Sequence, residues 1–187
     1  MDDLARVAAD AADGDPLAAA SLVRQTQTDV WRLCAALGDP ASADDLTQET
    51  YLRAFGSLHR FEGRSSVRTW LLAIARRVCA DALRSRRRRR LTLVREPADL
   101  ELLAPQGVGD AVGESAAVAD LLARLDPDRR EAFVLTQLLG LPYAEAAEVA
   151  GCPVGTIRSR VARARADLVD SLARVNDDAG RSGTAHG

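Results

Sequence analysis

The sequence predicts an all-α chain in which two small helical domains are joined by a flexible linker. Three observations predict it. Ala, Leu and Arg dominate, and aromatic residues make up only 4% of the chain; helices are built from such small and straight side chains, sheets from β-branched and aromatic ones. Apolar residues recur at helical spacing in two blocks, about 17–90 and 116–174. Between them, residues 91–115 hold Pro97, Pro105, Gly107, Gly109 and Gly113 among 5 acids and 1 Arg, the composition of an extended linker. The expected layout is a first domain over 1–90, a linker over 91–115, a second domain over 116–175 and a disordered tail over 176–187.

The elements follow in order. Val30, Leu33, Cys34 and Leu37 fall at i, i+3, i+4 and i+7, one face of a helix that Gly38-Asp39-Pro40 ends. Ser42 to Asp45 fits a capping box opening a second helix that runs to about Leu58. On it Thr47, Tyr51, Ala54, Phe55 and Leu58 are expected inward. Asp45, Glu49, Leu52 and Arg53 are expected outward, with Leu46 and Gln48 at the margins. A Gly/Ser loop over 59–66 feeds a third helix from Val67 through Trp70, Leu71, Ile74, Val78 and Leu83 into an Arg run, 86–90. In the second block one helix covers 118–125. Asp126-Pro127 is an N-cap with proline at N1, opening a helix that Gly140 stops. Pro142 opens another, Gly151-Cys152-Pro153 breaks it, and a last helix runs over 154–174.

Charge alternates along the chain. Residues 1–52 carry a net −7, 53–90 a net +10, 91–153 a net −7 and 154–187 a net +2, and every cation is Arg. Two basic blocks on an acidic chain point to a polyanion at two places and a protein surface elsewhere. The guanidinium is suited to bidentate contact with phosphate and guanine. Catalytic and metal chemistry find no support. Cys34, Cys79 and Cys152 form no CxxC pair and read as small buried hydrophobes. His59 has no partner at ligand spacing, and no phosphate-cradling glycine loop or nucleophile elbow is present. No catalytic residue, metal or cofactor is expected. No apolar run approaches the roughly 20 residues that span a bilayer, and the acidic start lacks a signal-peptide pattern, so the expected location is the cytoplasm.

Three segments carry function. Over 141–168, LPYAEAAEVAGCPVGTIRSRVARARADL reads as a helix-turn-helix. Its second helix has a buried stripe of Ile157, Val161, Ala164 and Leu168. Thr156, Ser159 and Arg163 lie opposite, flanked by Arg158 and Arg160. Short polar groups with Arg at the edges suit a helix in a major groove. Over 43–55, ADDLTQETYLRAF sets outward leucines among charges; either this is a protein-binding face, or a neighbouring helix covers Leu46 and Leu52. Over 61–90, a loop of small polar residues leads into an Arg-rich helix. Such a loop can wrap an unstacked base while arginines hold the backbone; the alternative is a solvated basic tail. Trp70 reads as a core residue.

ADDLTQETYLRAF, RTWLLAIARRV and GLPYAEAAEVAGCPVGTIRSRVARARADL, in this order, resemble the extracytoplasmic-function (ECF) group of the sigma-70 family over about 17–172. The resemblance implies a sigma-2 domain, a linker and a sigma-4 domain. It implies docking of Asp45, Gln48, Glu49 and Arg53 on the clamp helices of the RNA polymerase β′ subunit. It implies melting and reading of the promoter −10 element by Phe61, Gly63, Arg64, Ser65 and Ser66 with Arg76 and Arg77 of the following helix. It implies reading of the −35 duplex by Thr156, Arg158, Ser159, Arg160 and Arg163, with sigma-4 also on the β-flap tip. Most members of the group also have an anti-sigma partner. Departures from the group's pattern are Pro142 and Ala146, where a serine and a large aliphatic are usual, and few aromatics in the melting region. Two other classes are weaker: an enzyme acting on nucleic acid, which lacks a catalytic constellation, and an operator-binding regulator, which lacks a sensor domain.

Overall fold

The computed structural model describes residues 3–38, 40–93 and 113–182. Among them eight α-helices form and no strand. Most of the expected linker, 94–112, and the end of the expected tail, 183–187, lie outside the described residues.

Helix α1 (Asp3–Ala12) precedes the first helix that sequence periodicity predicts. Leu4, Ala5, Val7 and Ala11 of its apolar face pack against the core, and Ala8 is fully buried. Gly14, at φ 95, turns the chain. Asp15 then caps α2 (Pro16–Leu37), accepting from the Leu17 amide at 2.8 Å with Pro16 at the helix start. Ala18, Leu22, Thr26, Val30, Leu33 and Cys34 form the buried stripe of α2. At Gly38 a Cβ would meet the Leu46 Cδ1 at 2.5 Å, so glycine permits the close approach of α2 to the next helix.

A 3₁₀ turn (Pro40–Ser42) leads into α3 (Ala43–Ser57). The expected capping box does not form. Ser42 makes no side-chain cap bond, because the preceding 3₁₀ turn shapes the helix entry, and its hydroxyl accepts from Arg86 at 2.9 Å. The buried face of α3 is Ala43, Leu46, Thr50, Tyr51 and Ala54. Leu46 is therefore core and Phe55 is exposed, the reverse of the wheel expectation for Phe55. Tyr51 ties α3 to α2 by donating to Thr26 Oγ1 at 2.7 Å, while Thr26 donates to the Leu22 carbonyl.

A second 3₁₀ turn (Leu58–Arg60) and the loop 61–66 precede α4 (Val67–Leu93). Ser66 caps α4 by accepting from the Thr69 amide at 3.0 Å. In the second half come α5 (Gly113–Ala123) and α6 (Pro127–Phe133). Asp126 accepts from the amides of Asp128 and Arg129, the cap the sequence predicts. A π-helical turn (Val134–Leu138) continues α6, and Gly140 ends it at φ 67. Helix α7 (Tyr143–Ala150) follows, with Pro142 at its N-cap rather than inside its first turn. Helix α8 (Val154–Ser182) extends beyond the expected end at Arg174, so residues 176–182 continue a helix instead of starting a tail.

The two halves also dock. Helix α4 packs against α7 and α2 against α6, and one apolar cluster runs from Ala8 and Leu22 to Val161 and Ala164.

Candidate functional site

Helix α3 presents the first candidate surface. Asp45, Gln48, Leu52 and Arg53 are exposed and Glu49 is half-buried. Leu52 keeps 63% of its area open, so no neighbouring helix covers it. Arg53 is held from two sides: Nε donates to Glu49 at 2.7 Å and Nη1 to Asp81 of α4 at 2.8 Å. The hydrogen bond that it donates to Asp81, then that to Glu49, holds its guanidinium above the ordinary arginine range. Exposed pairs of this kind add little stability, but together they fix the orientation of the Arg53 fork. Leu83 of α4, between Asp81 and Arg84, is exposed as well. Open leucines inside a frame of ordered charges have the anatomy of a protein interface.

The loop 61–66 and the start of α4 form the second. Phe61 and Trp70 pack ring to ring, centroids 5.1 Å apart and tilted by 48°. Trp70 is thus a half-buried wall of the loop rather than deep core. With Arg60, Glu62, Arg64 and Ser65 the two rings line a hollow of about 180 Å³, below the roughly 300–1,000 Å³ of small-molecule pockets. Gly63 supports the turn at φ 70. Arg64 pairs with Glu62 in solvent at 2.6 Å. Arg77 is exposed, whereas Arg76 is turned inward.

Helices α7 and α8 form the third. Gly151 ends α7 in the left-handed region at φ 65, and the Cys152 amide donates back to the Ala147 carbonyl at 3.1 Å, so the tight turn needs glycine. Ile157, Val161 and Ala164 are buried as expected, and Leu168 is half-buried. Arg158, Ser159 and Arg163 are exposed, with Thr156 half-buried beside them. The Ser159 hydroxyl donates to the Thr156 carbonyl at 2.9 Å. Arg160 departs from the outward reading. It pairs with Asp128 at the start of α6, and its Nη1 lies 3.7 Å from the Cys152 sulfur.

The docking of the halves brings further residues into play that periodicity did not single out. Arg68 reaches Asp29 of α2 at 2.7 Å and the Leu139 carbonyl at 2.6 Å. Thr69 donates to Glu145 of α7 at 2.7 Å. Arg76 pairs with Glu131 of α6, whose carboxylate is buried; the hydrogen bond donated to Glu131 raises the Arg76 guanidinium above its usual range. The signal for Glu131 was present in the sequence: an acid beside Ala132 and one turn before Leu135 sits on an apolar stripe and needs a cationic partner. One side of α4 is consequently covered by α7, and Glu131 of α6 reaches its Arg76.

Known families and structures match this arrangement. The family model for sigma-70 region 2 matches residues 22–89, and that for sigma-70 region 4 matches 115–168. The chain is 52% identical over 163 residues to the ECF RNA polymerase sigma factor SigC of Mycobacterium tuberculosis, covering 87% of this chain and 88% of that protein. It is 34% identical over 172 residues to the RNA polymerase sigma factor CnrH of Cupriavidus metallidurans, covering 87% and 90%. The structure of CnrH in complex with the cytosolic domain of CnrY superposes with a TM-score of 0.68 at 31% identity, over 90% of this chain and 96% of that one. That of the sigma factor RpoE with the anti-sigma factor NepR from Bartonella quintana gives 0.64 at 28%, over 82% and 95%.

Proposed function

The chain belongs to the ECF group of the sigma-70 family, and from that premise we propose which of its surfaces performs each part of promoter-specific transcription initiation. As a sigma factor it binds core RNA polymerase and directs it to promoters. Residues 1–90 act as the sigma-2 domain, 91–115 as the linker and 116–175 as the sigma-4 domain. The reading rests above all on α8: a buried stripe of Ile157, Val161 and Ala164 with Arg158, Ser159 and Arg163 open on the other side, entered through the Gly151 turn. That is a recognition helix ready for a major groove.

The hollow walled by Phe61 and Trp70 receives an unstacked base of the −10 element, with Gly63, Arg64, Ser65 and Ser66 around it and Arg77 on the backbone. Arg76 joins them once it parts from Glu131, and Arg160 serves chiefly to brace α8 against α6. Asp45, Gln48, Glu49 and Arg53 meet the β′ clamp helices, and the sigma-4 half meets the β-flap tip. An anti-sigma protein is a further partner, by analogy with the two structural relatives solved with one. The chain carries no catalytic activity of its own, takes no metal or cofactor, and works in the cytoplasm. No helix among the described residues is long and apolar enough to cross a membrane.

Two experiments test these roles. Glu49→Arg is expected to weaken core-polymerase binding, measured by polarisation of a labelled chain. Its thermal midpoint should move little, since the Glu49–Arg53 pair that it breaks is open to solvent and such pairs contribute about 0–1 kcal/mol. Unchanged core affinity would remove α3 from the polymerase interface. On DNA, Arg163→Ala should cost about 1–3 kcal/mol on the preferred −35 duplex and flatten discrimination at one base pair. Arg158→Ala, at the helix edge, should weaken all duplexes alike and lower the salt slope by roughly one. Binding of both variants to a −35 duplex panel at several salt concentrations distinguishes them; uniform loss in both would mean that α8 lies differently in the groove.

A further inference from the structure

Over 154–165 helix α8 carries four arginines, Arg158, Arg160, Arg163 and Arg165, and α6 with its π-helical turn holds two of them back. Arg158 and Arg163 stand exposed and bond to nothing among the described residues. Arg165 donates to the Gln137 side-chain carbonyl at 2.7 Å, a neutral partner. Arg160 alone of the four meets a carboxylate, that of Asp128, and its side chain is only 22% exposed. Yet Thr156, Ser159, Arg160 and Arg163 fall at i, i+3, i+4 and i+7, so by spacing Arg160 flanks the side that faces the groove.

Asp128 is not needed to cap α6. Asp126 makes that cap, accepting from the amides of Asp128 and Arg129, and the Asp128 carboxylate stands 60% exposed with Arg160 as its partner. Helix α8 is already fixed without it: Ile157, Val161 and Ala164 are buried, and Arg129 of α6 pairs with Asp167 at 2.6 Å. An open pair adds little to stability, so bracing accounts for little of the Asp128–Arg160 contact. What the contact changes is the charge that α8 can offer to a ligand.

We infer that Asp128 is an attenuator of the DNA grip: it withholds Arg160 from the phosphates flanking the −35 groove and so weakens the sequence-independent part of binding. The inference rests on the reading of α8 as the −35 recognition helix. Asp128 gives Arg160 what a phosphate would give, an anionic oxygen within hydrogen-bond reach, and the two compete for one guanidinium. An arginine on a phosphate grips every duplex alike, because the backbone carries no sequence. Each cation withheld therefore shortens the stay at the many competing sites that match no promoter.

The test uses the full chain and two labelled duplexes, the preferred −35 sequence and a scramble of it, titrated at several salt concentrations. Asp128→Asn is expected to tighten binding of both duplexes by the same factor and to steepen the fall of log affinity with log salt by about 0.9. That factor then shrinks about threefold between roughly 50 and 200 mM salt. Asp128→Ser, a second neutral replacement, should do the same. On an Arg160→Ala background Asp128→Asn should gain nothing, which separates release of Arg160 from the mere removal of an acid near the duplex. A gain that persists without Arg160 would overturn the inference, as would weaker binding of both Asp128 variants at an unchanged slope, the mark of a brace alone. Losses in Arg158→Ala and Arg163→Ala beside no gain in either Asp128 variant overturn the role of Asp128 and leave α8 in the groove. No change in any of the four removes α8 from the DNA, and the inference with it.

Discussion

Glu131→Arg is expected to part the two halves of the molecule without unfolding either. Glu131 is 7% exposed and faces Arg76 across the junction of α6 with α4. Reversal of its charge sets two guanidinium groups against each other where neither is fully hydrated, and uncompensated buried charge costs several kcal/mol. Separation is the least costly relief. The α4–α7 contact loses its docking, both cations regain water, and each half keeps its own helices. Small-angle scattering should show the radius of gyration rising by several Å above the roughly 16 Å expected for a compact chain of this length. Far-ultraviolet circular dichroism should be unchanged, and binding to single-stranded −10 DNA should strengthen because Arg76, Arg68 and the covered side of α4 are released. Glu131→Gln, which keeps the shape and removes one charge, should fall between. A radius equal to that of the parent, with weaker stability, would mean that the pair serves the fold of a single body.

Ile157→Ala is expected to produce the largest loss of stability. The side chain is 0% exposed and anchors α8 against the sigma-4 core. Burial of this completeness makes large-to-small replacement cost about 2–5 kcal/mol. A helical unit of some sixty residues has little stability to spare, so −35 binding should vanish near 37 °C together with the sigma-4 part of the urea transition. Core-polymerase binding through α3 should persist. Val169→Ala, 64% exposed on the same helix, provides the comparison, expected within about 0.5 kcal/mol of the parent. Equal melting of the two variants would remove Ile157 from the core.

What sequence reading reached and missed follows from the range over which each signal acts. The α7–α8 unit was legible because its determinants are local: Gly151 for a left-handed turn, then an apolar stripe at helical period. The Asp126 cap was legible for the same reason. Helix α1 was missed although its signal is local: Leu4, Val7, Ala8 and Ala11 recur at helical spacing and face the core. Phe55 was misplaced, and Leu46 was left between a margin and a covered position, because a wheel gives direction but not the height of the neighbours. Gly38 lets α2 come close over Leu46, while Phe55 lies at the rim of the core beside Tyr51, 36% exposed. The inward turn of Arg76 and Arg160 was out of reach. Their partners, Glu131 and Asp128, stand 55 and 32 residues away, and periodicity carries no information over that span.

Helix α4 has a consequence of another kind. Its 27 residues run unbroken from the Ser66 cap into the arginine run. At about 1.5 Å per residue the stretch from Val67 to the arginines at 86–90 spans roughly 30–35 Å, close to the 34–36 Å of one turn of duplex DNA. Loop and arginines are therefore the two ends of a ruler of fixed length. With a base held at the loop as proposed, the rod would set which phosphates, about one turn upstream, fall opposite the arginines. Promoters would then be measured as well as read: inserting half a turn between those two places would rotate the phosphates to the far side of the duplex, however well each sequence matched.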